Sequence, residues 1–142
     1  MDKVSKEIRS RNMSHIKSKD TSLEIIVRKE LFKRGFRYRK NVKDLPGKPD
    51  IVLKKYNTAI FVNGCFWHHH YNCKFAVYPK TNKEYWRNKI ERNIERDIEN
   101  EKYLRQLGYK VIVVWECELK ESFDIRVNQL VEEIIREYEV IK

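Results

Sequence analysis

The chain has 142 residues and a formal net charge of +10 at pH 7, from 31 Lys and Arg against 21 Asp and Glu. This length suits one domain with a core large enough to fold alone. No apolar run is long enough for a membrane helix and the charged N-terminus has no signal-peptide pattern, so we expect a cytoplasmic protein with no membrane partner. The three cysteines agree with a reducing compartment.

The excess positive charge is confined to the N-terminal part. Residues 1–55 contain 17 Lys and Arg against 7 Asp and Glu, whereas residues 56–142 contain 14 of each. A positive face attracts polyanions, and nucleic acid is the commonest such partner in cytoplasm. An anionic membrane is a weaker alternative, because the basic segment has few large apolar side chains to insert. A solvated basic face without a partner would have the same charge.

The first elements are a basic arm and a helix. Residues 1–20 have no clear apolar stripe, which predicts an arm that becomes ordered on a partner, and residues 21–142 are predicted as a single domain. A helix is predicted from Ser22 to Arg34, because Thr21 with Glu24 forms a capping box and Gly35 ends the helix. Residues 36–39 are predicted as a strand.

Two apolar strands are then predicted to form a hairpin. The turn at residues 45–49 (LPGKP) leads into Asp50 and a strand at residues 51–53, and a second strand follows at residues 58–62. This hairpin predicts that Asp50 lies beside the end of the second strand, close to Asn63 and the histidines that follow it.

The second half contributes two helices and a strand. A long helix is predicted from a second capping box, Thr81 with Glu84, through about Leu107, with Gly108 at its end. Its core face is predicted at a four-residue spacing, by Trp86, Ile90, Ile94 and Ile98. A buried strand at residues 109–115 and a last amphipathic helix follow, the helix carrying Ile125, Leu130, Val131, Ile134 and Ile135. This order predicts an α/β fold in which helices flank a sheet.

Metal-binding side chains are concentrated at residues 63–73. Cys65 and Cys73 enclose three consecutive histidines, and the third cysteine is Cys117. Thiolate and imidazole favour zinc, and a structural zinc site needs four such ligands. The three cysteines and His70, which lies between the first two, would form a Cys3His site. The alternative is three buried, inert thiols, which suits Cys117 best because it follows an apolar run.

Asp50 is the candidate ligand for a catalytic metal. It stands at the head of a buried strand after an exposed turn, where a hydrolytic nuclease places a magnesium ligand. Asp is also common in turns and at strand ends, so the residue alone distinguishes little. The hairpin adds weight, because a carboxylate, a main-chain carbonyl and imidazoles would converge in a plausible phosphodiesterase site.

Two motifs carry a resemblance to a known family. Residues 49–50 (PD) before a strand hairpin resemble the core of PD-(D/E)XK nucleases, and residues 61–70 (FVNGCFWHHH) are similar to the signature of the very-short-patch-repair (Vsr) mismatch endonucleases. Further segments resemble the family in the family's order: 11–14 (RNMS), 20–24 (DTSLE), 45–50 (LPGKPD), 81–86 (TNKEYW), 95–97 (ERD) and 113–117 (VVWEC). The resemblance covers almost the whole chain.

The resemblance implies a fold and an activity. The fold is restriction-endonuclease-like, with a central mixed sheet flanked by helices and a structural zinc site, and residues 21–142 form the nuclease domain. The activity is magnesium-dependent nicking of double-stranded DNA at a T:G mispair, the lesion left when 5-methylcytosine deaminates. A mismatch-repair scaffold protein is a further candidate partner, and a monomer suffices to nick one strand.

The same resemblance assigns the catalytic residues. Asp50 and the carbonyl of Val62 bind the magnesium ion, and His68 is the acid/base group near the attacking water. Glu24 supports His68 or a water on the metal, although capping of its helix would also explain this residue. The loop that carries His68 is fixed by zinc, whose ligands are Cys65, His70, Cys73 and Cys117.

DNA contacts are assigned by resemblance to aromatic and basic side chains. Aromatic side chains open a base stack by wedging between bases, and here they are Phe66, Trp67 and Trp86. Trp86 also begins the apolar stripe of its helix, so a core position is its alternative. Met13 of the arm is a candidate to insert from the other groove. Phosphates across the duplex would be clamped by Arg9, Arg11, Lys17 and Lys19.

Two features depart from the family pattern. The family often has a histidine at Asn63, thought to hold a water on the metal. Asparagine donates and accepts hydrogen bonds but does not titrate near neutral pH, so it suffices to orient water, whereas activity should be weak if this position transfers a proton. The loop between Cys65 and Cys73 is one residue longer than in the best-known members, which keeps His69 as an alternative to His70 in the zinc site.

Two other functions agree with parts of the sequence. A zinc-containing mismatch DNA-binding protein that has lost catalysis would keep the arm, the zinc site and the aromatic side chains. Asp50, His68 and their metal separate this reading from an enzyme. A restriction-type endonuclease cutting both strands of unmodified DNA would usually require a dimer, and nothing in the sequence marks an apolar interface beyond the core stripes.

Overall fold

The computed structural model describes residues 21–66, 68, 70, 73 and 79–141, with side chains as far as Arg136. The arm at residues 1–20, Trp67 and His69 lie outside this part of the chain. The elements are α1 (Ser22–Lys33), β1 (Arg39–Lys40), β2 (Ile51–Leu53), a 3-10 turn (Lys54–Tyr56), β3 (Thr58–Asn63), α2 (Lys83–Gln106), β4 (Lys110–Trp115), α3 (Glu116–Glu121) and α4 (Phe123–Ile141).

The strands described form one mixed sheet in the order β1-β2-β3-β4. β2 is antiparallel to both β1 and β3, whereas β3 and β4 are parallel. α2 lies between β3 and β4 in the chain, as expected because a parallel pair needs a long crossover connection. The predicted α/β class and mixed sheet flanked by helices are therefore confirmed. Among the described helices, none is both long and apolar enough to cross a membrane.

Helices cover both faces of the sheet. Successive residues of a strand point to opposite faces, so each face packs through its own set of side chains. On one face, α1 and α4 pack against alternate residues of the parallel strands β3 and β4: Ile60, Val62, Ile112 and Val114. On the other face, Leu104 of α2 packs against the intervening residues Ala59 and Val111. The short hairpin strand β2 is fully buried. The packed sheet thus positions the residues at the ends of its strands.

α1 forms as its sequence predicts. Thr21 is extended and its Oγ1 accepts a hydrogen bond from the Glu24 N–H at 3.3 Å, so the predicted N-cap is confirmed. The predicted strand at residues 36–39 is wrong in position, since pairing begins only at Arg39 opposite Val52. The reason is the helix end: the Phe36 N–H donates to the Leu31 carbonyl at 3.0 Å, so this backbone completes α1.

Two expectations for α2 are wrong. The N-cap is Asn82, with a left-handed φ of 54° and no side-chain cap hydrogen bond, so the predicted capping box at Thr81 does not start this helix. Ile90 is fully buried, but Ile98 is 64% exposed. A four-residue step exceeds the helical turn by about 40°, so a stripe with this spacing drifts away from the core. Leu104 fills the buried position near the C-terminus instead.

The C-terminal part contains a helix that the sequence pattern does not predict. Cys117 lies on this short helix, α3, directly after β4. The Glu118 carboxylate accepts hydrogen bonds from the Trp115 N–H at 2.8 Å and from Arg126 Nε at 3.3 Å, which ties α3 to β4 and α4. α4 buries Leu130 and Ile134 as predicted, whereas Ile125 is exposed, contrary to its predicted core role.

Candidate active site and metal centre

A tight turn delivers Asp50 to the start of β2. The Lys48 N–H donates to the Leu45 carbonyl at 3.0 Å, and Gly47 has a φ of 76° at the third turn position, as type II turns require. A Cβ on Gly47 would lie 3.1 Å from Phe61 Cζ and 3.1 Å from Asn100 Cβ. The turn is therefore pressed against β3 and α2, which fixes the position of the residues that follow it.

The Asp50 carboxylate lies at the end of β3. Its Oδ2 accepts a hydrogen bond of 2.7 Å from the Val62 N–H. This contact follows from the strand register, because Ile51 pairs with Ile60 and the chain before Ile51 runs alongside the last residues of β3. The hairpin thus places Asp50 beside Val62.

Glu24 forms a carboxylate pair with Asp50. Glu24 is 2% exposed, although it lies on α1 and Asp50 lies on the hairpin. The pKa of Asp50 rises from its ordinary 3.8 to about 7, mainly because of burial, and Glu24 adds to the rise by its charge and a side-chain hydrogen bond; the Val62 N–H and His68 oppose it. A buried carboxyl group beside a half-buried one favours a shared proton or a cation. Such oxygen donors suit Mg²⁺.

His68 is held by an aspartate of α2. His68 Nδ1 lies 2.5 Å from Asp97 Oδ2, so the ring and the carboxylate are in close hydrogen-bond contact. The His68 N–H also donates to the Gly64 carbonyl at 3.2 Å. Because Nδ1 faces Asp97, Nε2 is the ring nitrogen that remains for exchange of a proton with another group. His68 also contributes to the electrostatic field at Asp50.

Aromatic rings line the start of α2 next to this site. The ring centroids of Phe66 and Trp86 are 5.5 Å apart in an edge-to-face arrangement, and those of Trp86 and Tyr85 are 5.2 Å apart. Phe66 and Trp86 are half-buried and Tyr85 is exposed. Trp86 is therefore not a fully buried core residue, and the cluster presents flat apolar surface that includes Phe66, two residues before His68 in the chain.

A second cluster gathers every cysteine of the chain. The ligand atoms of Cys65, His70, Cys73 and Cys117 all lie within 4.8 Å of one another. His70 Nδ1 is 3.2 Å from Cys117 Sγ and 3.8 Å from Cys65 Sγ. A tetrahedral zinc ion with Zn–S bonds of about 2.3 Å separates its ligands by roughly 3.8 Å. The donor set and its spacing therefore fit a structural zinc ion.

The surroundings of this cluster fix His70 and the thiols. The His70 ring stacks on Trp115 at 4.2 Å between centroids, with 8° between the planes. The Cys117 N–H lies 3.4 Å from Cys65 Sγ. Burial raises the pKa of the Cys65 thiol to about 12 and also raises the pKa of Cys117. Zinc binds thiolates, so metal binding here would release the protons of these thiols.

Comparison with known proteins gives the family. The family described as DNA mismatch endonuclease Vsr matches residues 1–74. A DNA mismatch endonuclease Vsr from Escherichia coli (strain K12) is 43% identical over 115 residues, which cover 81% of this chain and 73% of that protein. This chain belongs to the Vsr family of DNA mismatch endonucleases. It is therefore a DNA endonuclease.

Other Vsr relatives extend the match over most of the chain. The Type II nicking enzyme V.NmeAIP of Neisseria meningitidis serogroup A is 55% identical over 128 residues, which cover 89% of this chain and 91% of that protein. The Type II nicking enzyme V.XorIIP of Xanthomonas oryzae is 44% identical over 120 residues, which cover 84% and 88%, respectively. These matches include the segments that supply both clusters described above.

The structure of this Vsr-family chain adds one site residue to those expected from its sequence. Four of the expected residues come together at the end of β3: Asp50, Val62, Glu24 and His68. The three cysteines lie around His70 and are not separate buried thiols. Asp97 is the addition, because nothing in its local pattern distinguishes it from the other charged residues of α2. The only signal was its place in the segment 95–97 (ERD), which resembles the family.

Proposed function

We propose that this Vsr-family endonuclease is a magnesium-dependent, strand-specific enzyme that nicks DNA at T:G mispairs arising from deamination of 5-methylcytosine. The nick would begin very short patch repair. The observation that carries the proposal is the group formed by Asp50, Glu24 and His68, with Asp97 behind the histidine. A monomer suffices to cut one strand, and a mismatch-repair scaffold protein is a proposed partner.

Asp50 and the Val62 carbonyl are the proposed magnesium ligands. When bound, Mg²⁺ would stabilise negative charge on the phosphate being cleaved. The hydrogen bond of 2.7 Å from the Val62 N–H fixes the orientation of the Asp50 carboxylate, so that its second oxygen can face the metal ion. Glu24 supplies a second negative charge on the α1 side. Hard oxygen donors from α1 and from the β2–β3 hairpin thus meet at one point.

His68 is the proposed general base or acid. Asp97 accepts the Nδ1 proton and holds the ring, which leaves Nε2 to take a proton from the attacking water. The water oxygen then bonds to phosphorus while the bond between phosphorus and the leaving oxygen breaks. Asn63, buried at the end of β3, can orient water by hydrogen bonding but cannot take this proton.

The remaining proposed roles concern DNA. Phe66 and Trp86, together with Trp67, which follows Phe66 in the sequence, would wedge into the base stack at the mispair. Met13 would insert from the arm, whose proposed phosphate contacts are Arg9, Arg11, Lys17 and Lys19. A zinc ion held by Cys65, His70, Cys73 and Cys117 would fix the loop between Cys65 and Cys73, and with it the position of His68.

The test is a nicking assay on end-labelled duplexes carrying a T:G mispair, with matched T:A and C:G duplexes beside it. The wild-type protein, Asp50→Ala and Asp44→Ala are incubated with and without magnesium. Asp44 is a matched control because it precedes the same turn and its side chain is 75% exposed. We expect magnesium-dependent cleavage of the thymine strand in the T:G duplex alone, retained in Asp44→Ala and lost in Asp50→Ala.

Other outcomes of this assay point to the two alternatives. Tight binding of the T:G duplex without a cut, over several flanking sequences, would favour a mismatch-binding protein and draw attention to Asn63. Cleavage of both strands of matched DNA would favour a restriction-type endonuclease. The first result would overturn the proposed nicking activity and the second the proposed specificity, while neither would change the family membership.

A further inference from the structure

A buried arginine lies behind the acidic pair of the active site. Arg28 and Glu24 are 5% and 2% exposed, and Arg28 Nη1 lies 3.7 Å from Glu24 Oε2. They are one helical turn apart on α1, so their side chains lie on the same face. Glu24 in turn is hydrogen-bonded to Asp50. Three charged groups therefore run in series from α1 to the proposed magnesium site.

The charge of Arg28 compensates the carboxylates beside it. Two neighbouring carboxylates repel each other, and burial of an isolated charge is strongly unfavourable. The guanidinium group of Arg28 supplies a compensating positive charge next to Glu24. At 3.7 Å this contact acts through charge rather than through a hydrogen bond from Nη1. The attraction offsets the repulsion between the two carboxylates and so favours a Glu24 side chain that stays beside Asp50.

The packing of α1 does not itself require a charge at this position. The apolar contacts of the helix with the core come from Val27 and Leu31, both fully buried. A buried ion pair is often no more stabilising than an apolar pair of similar volume, because desolvation offsets the attraction. The buried arginine therefore calls for an explanation beyond the stability of the fold.

We propose that Arg28 is a positioning residue of the nuclease: it holds the Glu24 carboxylate against Asp50 and so shapes the magnesium site. This inference rests on the proposed role of Glu24 in that site. Arg28 does not touch the reacting atoms and acts only through Glu24. The effect of Arg28 on nicking and on magnesium binding should therefore disappear when the charge of Glu24 is removed.

The experiment is a double-mutant cycle between Arg28→Met and Glu24→Gln. Methionine keeps the length and the burial of the side chain without its charge. Single-turnover nicking of the T:G duplex is measured at saturating magnesium, well below the melting temperature of each variant. We expect Arg28→Met to slow nicking by about tenfold in the wild-type background and by less than about twofold in the Glu24→Gln background. Arg28→Lys should recover part of the lost rate.

A second readout follows magnesium binding without catalysis. The melting temperature of the DNA-free protein is measured against Mg²⁺ concentration for the same variants. Arg28→Met should raise the Mg²⁺ concentration needed for a half-maximal shift. Removal of the guanidinium charge by itself favours Mg²⁺ binding, whereas displacement of the Glu24 carboxylate from the site weakens it. The second effect is larger, because Glu24 is nearer to the ion and Coulomb energy falls with distance.

Arg34→Met is the matched control. Arg34, the C-cap residue of α1, forms the same kind of i,i+4 pair with Glu30 at 3.1 Å, but this pair is partly exposed. It should change neither the nicking rate nor the Mg²⁺ response. An Arg28→Met protein that matches wild type in both readouts would overturn the proposal, as would an equal loss in the Glu24→Gln background.

Failure of the proposed function is distinguishable from failure of this inference. If the wild-type protein does not nick the T:G duplex, the proposed specificity fails, but the Mg²⁺ response of the four proteins in the cycle still tests Arg28. A Mg²⁺ response that depends on Arg28 only when Glu24 is present would support the inference on its own. A response that is unchanged throughout would overturn it.

Discussion

Asp97 Oδ2 lies 2.5 Å from His68 Nδ1, so the long helix α2 directly holds the histidine of the cysteine-rich loop. The two residues are 29 positions apart in the chain. The contact sets the ring orientation of His68 and determines which nitrogen is left to face a substrate. It gives α2 a role in the proposed chemistry besides its packing on the sheet through Leu104.

Substitution of Asp97 tests this relationship. Asp97→Asn should slow nicking by about 100-fold, the lower end of the contribution expected from a general acid or base, because an amide can hold the imidazole in the wrong tautomer. The measurement is the single-turnover rate on the T:G duplex. Asp124→Asn, at an exposed position at the start of α4, is the control and should leave the rate unchanged. A wild-type rate in Asp97→Asn would show that His68 does not need this partner.

Asp50 should make the stability of the magnesium-free protein depend on pH. Its pKa is about 7 in the folded state, against an ordinary value of 3.8. The folded state thus holds this proton more tightly than the unfolded state. The contribution of Asp50 to the free energy of unfolding is complete below the unfolded pKa and is lost as pH rises through the folded pKa.

The matched variant for this prediction is Asp50→Asn, which cannot titrate. Urea unfolding of both proteins is compared between about pH 4 and about pH 8, without magnesium and without a chelator that would remove zinc. The difference in unfolding free energy, wild type minus variant, should fall across this range. A difference that stays constant would mean that the folded protein does not raise the pKa of Asp50.

Patterning predicts much of the fold because its signals are local. Thr21 caps α1 by a contact with Glu24, three residues later in the chain. The apolar runs of β2, β3 and β4 contribute buried residues to both faces of the sheet, as their composition indicates. The start of α2 could not be predicted in this way, since Thr81 and Asn82 are both plausible caps. α3 was also missed, because its six residues carry too short a pattern to separate them from a loop.

The site is less predictable because its contacts join distant parts of the chain. The turn before Asp50 and the hairpin after it define where that carboxylate lies. Both are local sequence features, so the position of Asp50 could be predicted from the sequence. Arg28 and Asp97 acquire their surroundings only when α1 and α2 pack on the sheet. In the sequence, each is one of many charged residues on its helix. Packing of the helices buries Arg28 and brings Asp97 into contact with His68.

The histidine ligand of the metal centre can be identified by metal content. We expect one zinc ion per chain in the wild-type protein, lost in His70→Ala and retained in His69→Ala. The ligand atoms of His70 and the three cysteines already lie within 4.8 Å of one another. Zinc is measured by mass spectrometry after dialysis, and the melting temperature of His70→Ala should fall because metal binding is coupled to folding. Stoichiometric zinc in His70→Ala would assign the ligand elsewhere.

The turn before Asp50 should be sensitive to a single methyl group. Gly47→Ala strains a φ of 76° and also places Cβ 3.1 Å from Phe61 Cζ and Asn100 Cβ. Gly35→Ala is the matched control, because Gly35 has a φ of 95° but nothing lies within 4 Å of its Cβ position. Backbone strain alone should cost about 1 kcal/mol in each variant.

The difference between these two variants reports the crowding at the turn. Gly47→Ala should lower the free energy of unfolding more than Gly35→Ala, and it should also slow nicking because the turn positions Asp50. Urea unfolding and the nicking assay measure the two effects. Equal stabilities and equal rates would show that the turn can shift without displacing the carboxylate.

Asn63 is the residue proposed to orient water in the site. It is buried at the end of β3, where its amide can hold a water molecule but cannot accept its proton. We therefore expect Asn63→Ala to slow nicking, because water is no longer oriented, and Asn63→His to accelerate it, because an imidazole with an ordinary pKa of about 6.5 can also take a proton. The pH dependence of the single-turnover rate separates these effects, since only Asn63→His adds a titrating group. If both variants nick at the wild-type rate, His68 with Asp97 is sufficient for proton transfer and Asn63 has no part in positioning water.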